Sequence, residues 1–117
     1  MPVRSWTSSV LRWPGREEVL GAFRRWAREQ ASRHPHVLRI GCFGSYARGD
    51  WGPGSDLDVV VIVAEAREPF PRRAAAWDSS DLPVPADVLV YTRDEWQRLR
   101  STPFGRRLEA EALWAYP

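Results

Sequence analysis

Gly44-Ser-Tyr-Ala-Arg-Gly49, then Asp50-Trp-Gly-Pro-Gly54, then Ser55-Asp-Leu-Asp58 runs without a break into Val59-Val-Val-Ile-Val63. Glycines at 44, 49, 52 and 54 let the backbone turn tightly and come close to a ligand, because a residue without a Cβ tolerates positive φ. The segment 57–63 is apolar and rich in β-branched residues apart from Asp58, which is the pattern of a strand in the middle of a sheet. Asp56 and Asp58 are two residues apart, so on such a strand both carboxylates leave the same face of the pleat. A phosphate loop thus feeds a strand that opens with two oxygen ligands for a divalent cation.

Upstream of this stretch, Val37 to Phe43 is short, apolar and bounded by turn residues, and reads as a second strand. Before it, Val19, Phe23, Trp26 and Ala27 fall at helical spacing between Gly15 and Arg33, with Arg24, Arg25 and Arg28 on the other face. That helix should end near His34, since Pro35 disfavours the α conformation in the residue before it. Met1 to Trp13 reads as an N-terminal arm whose Val10, Leu11 and Trp13 pack on the domain.

Downstream, Ala64 to Pro83 is a charged, proline-rich connection with a short helix expected over Pro71 to Trp77. Asp87 to Tyr91 signals a third strand. Thr92-Arg-Asp-Glu95 has the capping-box pattern, so a helix should start at Arg93 and turn Trp96 and Leu99 inward. A last helix over Phe104 to Glu109 and an edge strand over Ala112 to Tyr116 complete a mixed α+β chain, with Pro117 stopping a regular ladder.

With 117 residues the chain has the size of one domain, and 44% hydrophobic with 27% charged residues is an ordinary globular composition. No apolar run approaches the roughly 20 residues needed to cross a bilayer, and the start lacks the apolar core of a signal peptide, so a cytoplasmic location is expected. Cys42 is the single cysteine and lies in an apolar run, where it reads as a buried packing residue and not a reactive thiol. His34 and His36 flank a turn without further ligands and read as solvated, because zinc needs three or four converging donors. The net charge of +2 gives no direct case for nucleic acid. All seventeen basic residues are arginine, which excludes a Walker-type lysine or a Schiff base and leaves many guanidinium groups for phosphate.

Magnesium takes oxygen ligands at about 2.0 to 2.1 Å and commonly binds one or two carboxylates plus substrate phosphates. Asp56 and Asp58 supply the carboxylates, while Gly44, Ser45 and Arg48 suit the phosphate oxygens of a nucleotide. For Arg48 a structural tie to Asp50 or to the sheet is an equal alternative. Asp87 opens the next strand and shares a face with Leu89 and Tyr91, so adjacency of the two strands would make it a third ligand. A third carboxylate permits two metal ions about 3.5 to 4 Å apart. Asp50, Asp78 and Asp81 fall in loops and read as solvated.

The motif Gly44-Ser45-Tyr46-Ala47-Arg48-Gly49, a five-residue gap, and Ser55-Asp56-Leu57-Asp58 resembles the signature of the minimal nucleotidyltransferases of the DNA polymerase beta-like superfamily. The resemblance implies a mixed β-sheet with helices packed against it. It also implies magnesium-dependent transfer of a nucleoside monophosphate, AMP from ATP or its counterpart from another nucleoside triphosphate, to a hydroxyl. By position, Gly44, Ser45 and Arg48 would hold the triphosphate, and Asp56, Asp58 and Asp87 would bind the metals, with Asp87 helping to take the hydroxyl proton. Larger relatives carry a further helical domain. Its place would be taken here by a separate small helical HEPN-type protein, as in toxin and antitoxin modules whose transferase modifies its partner on a tyrosine or another hydroxyl, giving a hetero-oligomer or a homo-oligomer.

Two other functions compete. The seven tryptophans suggest a partner-binding antitoxin module with a vestigial active site, because tryptophan is enriched at interface hot spots. Trp26 and Trp96 fit core positions, whereas Trp51 lies inside the glycine loop, where it could stack on a base. Transfer to a small aminoglycoside-like hydroxyl compound is the third reading, and one bare sheet encloses little of such an acceptor.

Overall fold

The apolar segment after the paired aspartates is β2 (Leu57–Val63), and it lies inside a four-stranded sheet as its composition requires. The computed structural model describes residues 13–117, so the expected packing of Val10 and Leu11 falls outside the described residues. The chain runs α1 (Arg16–Arg33), β1 (Val37–Phe43), α2 (Ser45–Arg48), β2, α3 (Phe70–Arg73), a 3-10 turn (Ala74–Ala76), β3 (Ala86–Thr92), α4 (Arg93–Leu99), α5 (Pro103–Glu111) and β4 (Leu113–Tyr116). The order across the sheet is β3-β2-β1-β4. β2 is antiparallel to β1 and parallel to β3, and β4 is antiparallel to β1 at the edge.

Alternation along β2 assigns its two faces. Leu57, Val59, Val61 and Val63 pack with Val19, Phe23, Trp26 and Ala27 of α1. Val60 and Ile62 face the other way, against Trp96 of α4 and Leu108 of α5. The sheet is therefore covered on both sides, which explains a strand with no polar residue between Val59 and Val63. The buried valine, leucine, isoleucine and phenylalanine side chains among these each contribute roughly 1.5–3 kcal/mol of transfer free energy. Cys42 is completely buried in the α1 face, and burial pushes its thiol up to about 11, so it is inert.

The capping box forms as the sequence implies. Thr92 Oγ1 accepts from the Glu95 amide at 3.2 Å, and Glu95 Oε1 accepts from the Thr92 amide at 2.8 Å. Trp96 is then turned into the core and Leu99 packs at its margin. The helix expected over 71–77 instead begins at Phe70 as one turn and tightens into the 3-10 turn. From it the largely buried Arg73 reaches Glu95 with two hydrogen bonds, of 2.6 and 3.1 Å, and donates to the Val90 carbonyl at 3.1 Å. This pair holds the Glu95 carboxyl down at about 2 and ties the β2–β3 crossover to α4.

Among the described residues no tryptophan is exposed. Trp26 donates to the Asp78 carbonyl at 2.8 Å, Trp77 stacks on His34 with centroids 3.9 Å apart, and Trp114 lies under Arg39. Trp51, read from sequence as a candidate for a base, stacks on the fully buried Tyr46 at 5.5 Å. No helix of the described residues is long and apolar enough to cross a membrane.

Candidate active site

The first part of the glycine stretch is not an open loop. Ser45 to Arg48 forms one turn of helix, because Gly44 at φ 79° and Gly49 at φ 95° supply the left-handed or extended corners on either side. Tyr46 anchors that turn in the core, and Trp13 donates to its hydroxyl at 2.8 Å. Arg16 of α1 donates to the Tyr46 and Ala47 carbonyls at 2.7 and 3.1 Å, fixing the end of the turn from below. A Cβ on Gly44 would run into Asp58 Oδ2, so this position is glycine for two reasons, its backbone angle and the closeness of a carboxylate. The Gly52 amide donates to Ser55 Oγ at 2.9 Å and closes the rest of the stretch before the strand begins.

Asp58 is half-buried on the α4–α5 face, at the register position of Phe43 in β1 and Asp87 in β3. The strand adjacency that the sequence reading required is thus present, and Asp87 stands directly beside Asp58. Asp56, just before the strand, is exposed, as is Asp87. Burial first, and then the carboxylates of Asp87 and Asp56, raise the Asp58 carboxyl above its ordinary value. Among the described residues no three His, Cys, Asp or Glu side chains form a metal cage by themselves. The donors are nonetheless carboxylate oxygens in mutual repulsion, which fits a hard divalent cation whose coordination is completed by phosphates and water.

Asp58 and Phe43 form the saddle between two cavities. One, of about 360 Å³, is lined by Gly44, Ser45, Arg48, Phe104, Arg107 and Glu111 among others. Its neighbour, of about 370 Å³, is lined by Asp87, Trp77, Ser79 and the upper part of β3. Arg48 donates to Asp50 Oδ2 at 3.2 Å and to both Glu111 carboxylate oxygens at 3.0 and 3.3 Å. Its guanidinium ties the turn to its own loop and to α5, the structural alternative named for it.

A model of the nucleotidyltransferase domain matches residues 24–109, more than half of the chain and including all three candidate aspartates and the whole glycine turn. The chain belongs to the nucleotidyltransferase family. Among curated proteins none matches it in sequence. In fold this nucleotidyltransferase is similar to a presumed nucleotidyltransferase from Sulfolobus solfataricus, with 22% identity, 85% of this chain and 80% of that one covered, and a TM-score of 0.61. It is also similar to a chain in a toxin–antitoxin structure with AMP-PNP, with 19% identity, 80% and 72% covered, and a TM-score of 0.51.

Five of the groups lining the nucleotidyltransferase's two cavities, namely Trp77, Ser79, Phe104, Arg107 and Glu111, were not singled out as site residues from the sequence. Phe104, Arg107 and Glu111 recur at intervals of three and four along α5, so their common face was legible as a helical stripe. That the stripe lies over the glycine turn depends on how α5 packs, a long-range fact.

Proposed function

We propose that this nucleotidyltransferase moves a nucleoside monophosphate, AMP from ATP, to a hydroxyl on a partner protein. The observation that carries the reading is the side-by-side register of Asp58 and Asp87, with the Gly44 backbone packed against Asp58 and a cavity on either side. In this reading Gly44 and Ser45 hold the triphosphate on one side of the saddle. The acceptor hydroxyl approaches from the Asp87 side. Its oxygen bonds to the α-phosphorus while the bond from that phosphorus to the bridging oxygen breaks, and pyrophosphate leaves with that oxygen.

Asp56, Asp58 and Asp87 would hold magnesium, which when bound neutralises charge on the phosphates and makes the acceptor oxygen a better nucleophile. Asp87, exposed at the rim, accepts the hydroxyl proton. Asp58, the most buried of the three, would anchor the cation between the two cavities. Arg48 acts from behind by holding the glycine turn against α5.

The acceptor side of the saddle is the cavity beside Asp87, walled by Trp77 and Ser79. The likeness to a chain in a toxin–antitoxin structure supports a partner protein as the acceptor, and the family resemblance of the glycine motif is what suggests a small helical, HEPN-type protein for that part. The vestigial reading loses its motive, since every described tryptophan is engaged in the domain's own packing. The test is incubation with magnesium, the product of the adjacent gene, and ATP labelled at either the α- or the γ-phosphate. Transfer of the α label, with a gain in the acceptor's mass equal to one AMP, is expected. Tight association with no transfer of either label would instead favour the binding module.

A further inference from the structure

Resting on the nucleotidyl-transfer reading, we infer that Arg107 of α5 is the cation that grips the triphosphate, and that Arg48, the arginine of the glycine motif, is a positioning residue. Both guanidinium groups line the cavity beside Gly44 and Ser45. Their surroundings differ. Arg48 is bonded to two carboxylates, Asp50 and Glu111, and these hydrogen bonds raise its pKa further. A guanidinium shared between two carboxylates has lost its net attraction for an anion.

Arg107 has no ion pair among the described residues and is exposed at the cavity mouth. The adjacent Arg106 is spent on the Ser101 carbonyl at 2.6 Å, and Arg100 on Glu109 at 2.9 Å. Of the charged groups lining the cavity, Arg48 and Glu111 cancel each other and Asp58 is negative, so Arg107 alone offsets Asp58. Without Arg107 the cavity would present a net negative wall to a highly charged anion.

The stripe on α5 gives this arginine its aim. Phe104 lies three residues before it and Glu111 four after it, and all three line the same cavity. Glu111 is held by Arg48, which fastens the helix to the glycine turn. Phe104 meets Phe43 edge to face at 6.4 Å, which fastens it to the end of β1. α5 is thereby fixed at two points with Arg107 between them. A planar guanidinium with several donors suits phosphate oxygens in pairs.

The test is calorimetric titration of wild type, Arg107→Gln, Arg107→Lys and Arg48→Gln with inorganic tripolyphosphate, ATP and AMP in magnesium, with the melting temperature of each variant measured first and expected to be unchanged for the two Arg107 variants. Arg107→Gln should weaken tripolyphosphate and ATP by roughly tenfold or more, the scale of a lost charge-assisted hydrogen bond. It should leave AMP unchanged, and Arg107→Lys should recover part of the loss. Arg48→Gln should lower the melting temperature and weaken AMP and ATP by similar factors, because it loosens the turn and removes no triphosphate contact. Unchanged tripolyphosphate binding in Arg107→Gln, with wild type binding well, would overturn the inference and leave the transferase reading standing. Failure of wild type to bind either tripolyphosphate or ATP would overturn both.

Discussion

The two ends of β3 (Ala86–Thr92) each have acidic groups beside them, and the two sets are built in opposite ways. At the C-terminal end of β3, Glu95 meets the largely buried Arg73 in a bidentate pair that leaves its carboxyl at about 2. At the N-terminal end of the same strand, Asp87 stands beside Asp58 with Asp56 close by, and burial together with these neighbours raises the Asp58 carboxyl. Charge is compensated where it serves the fold and left in repulsion where a ligand would complete it. In the proposed reading a cation and a triphosphate would be the counterparts in the second place.

The sharpest way to break this contrast is Asp58→Asn. Transfer should fall by on the order of 10³-fold or more, the scale of removing a group that acts directly on transition-state charge, as read by α-label incorporation. Stability should move the other way. A carboxyl whose pKa is raised on folding favours the fold only while protonated, and that contribution is lost as pH rises through the folded value. Ionised Asp58 is therefore unfavourable to the fold at neutral pH, and the variant should melt at a higher temperature than wild type at pH 7. The gain should vanish in acid, below the ordinary carboxylate range.

At the compensated end, Arg73→Met removes the hydrogen bonds to the partly exposed Glu95 and should cost about 1–3 kcal/mol in urea denaturation. The pH dependence has the opposite sign here. The depressed Glu95 pKa contributes stability in full above about 4.5, lost as pH falls toward about 2. Glu95→Gln should remove that acid limb while leaving the pH dependence above it intact.

Two smaller effects sharpen the comparison. Gly44→Ala forces a side chain into a positive-φ position and against the Asp58 carboxylate, for a loss of about 1–2 kcal/mol and a fall in nucleotide affinity by titration. Thr92→Ala removes only the cap that starts α4 and should cost about 1 kcal/mol in the same denaturation assay, with transfer unchanged.

Much of the frame was legible because its signals are local. The runs 37–43 and 57–63 coincide with β1 and β2, Pro35 ends α1 at the expected residue, and Thr92 with Glu95 starts α4. The adjacency of Asp87 and Asp58 followed from strand alternation once the strands were taken as neighbours. What escaped depends on tertiary packing. The helical turn 45–48 is too short for a periodic pattern and is held by Tyr46 sinking into the core. Arg73 gives no sign of burial in an exposed-looking Pro-Arg-Arg run, because its partner is twenty-two residues away. The same holds for Arg48 with Glu111, sixty-three residues apart. The glycine motif thus pointed to the family, while the distribution of its charges depended on packing.

The central claim is that the Asp58–Asp87 saddle is a cation-dependent nucleotide site. Calorimetric titration of ATP into wild type and into the Asp58→Asn, Asp87→Asn double variant, each with and without magnesium, tests it most directly. The account predicts magnesium-dependent binding by wild type that the double variant loses while remaining folded. Equal binding by the two proteins in magnesium would contradict it.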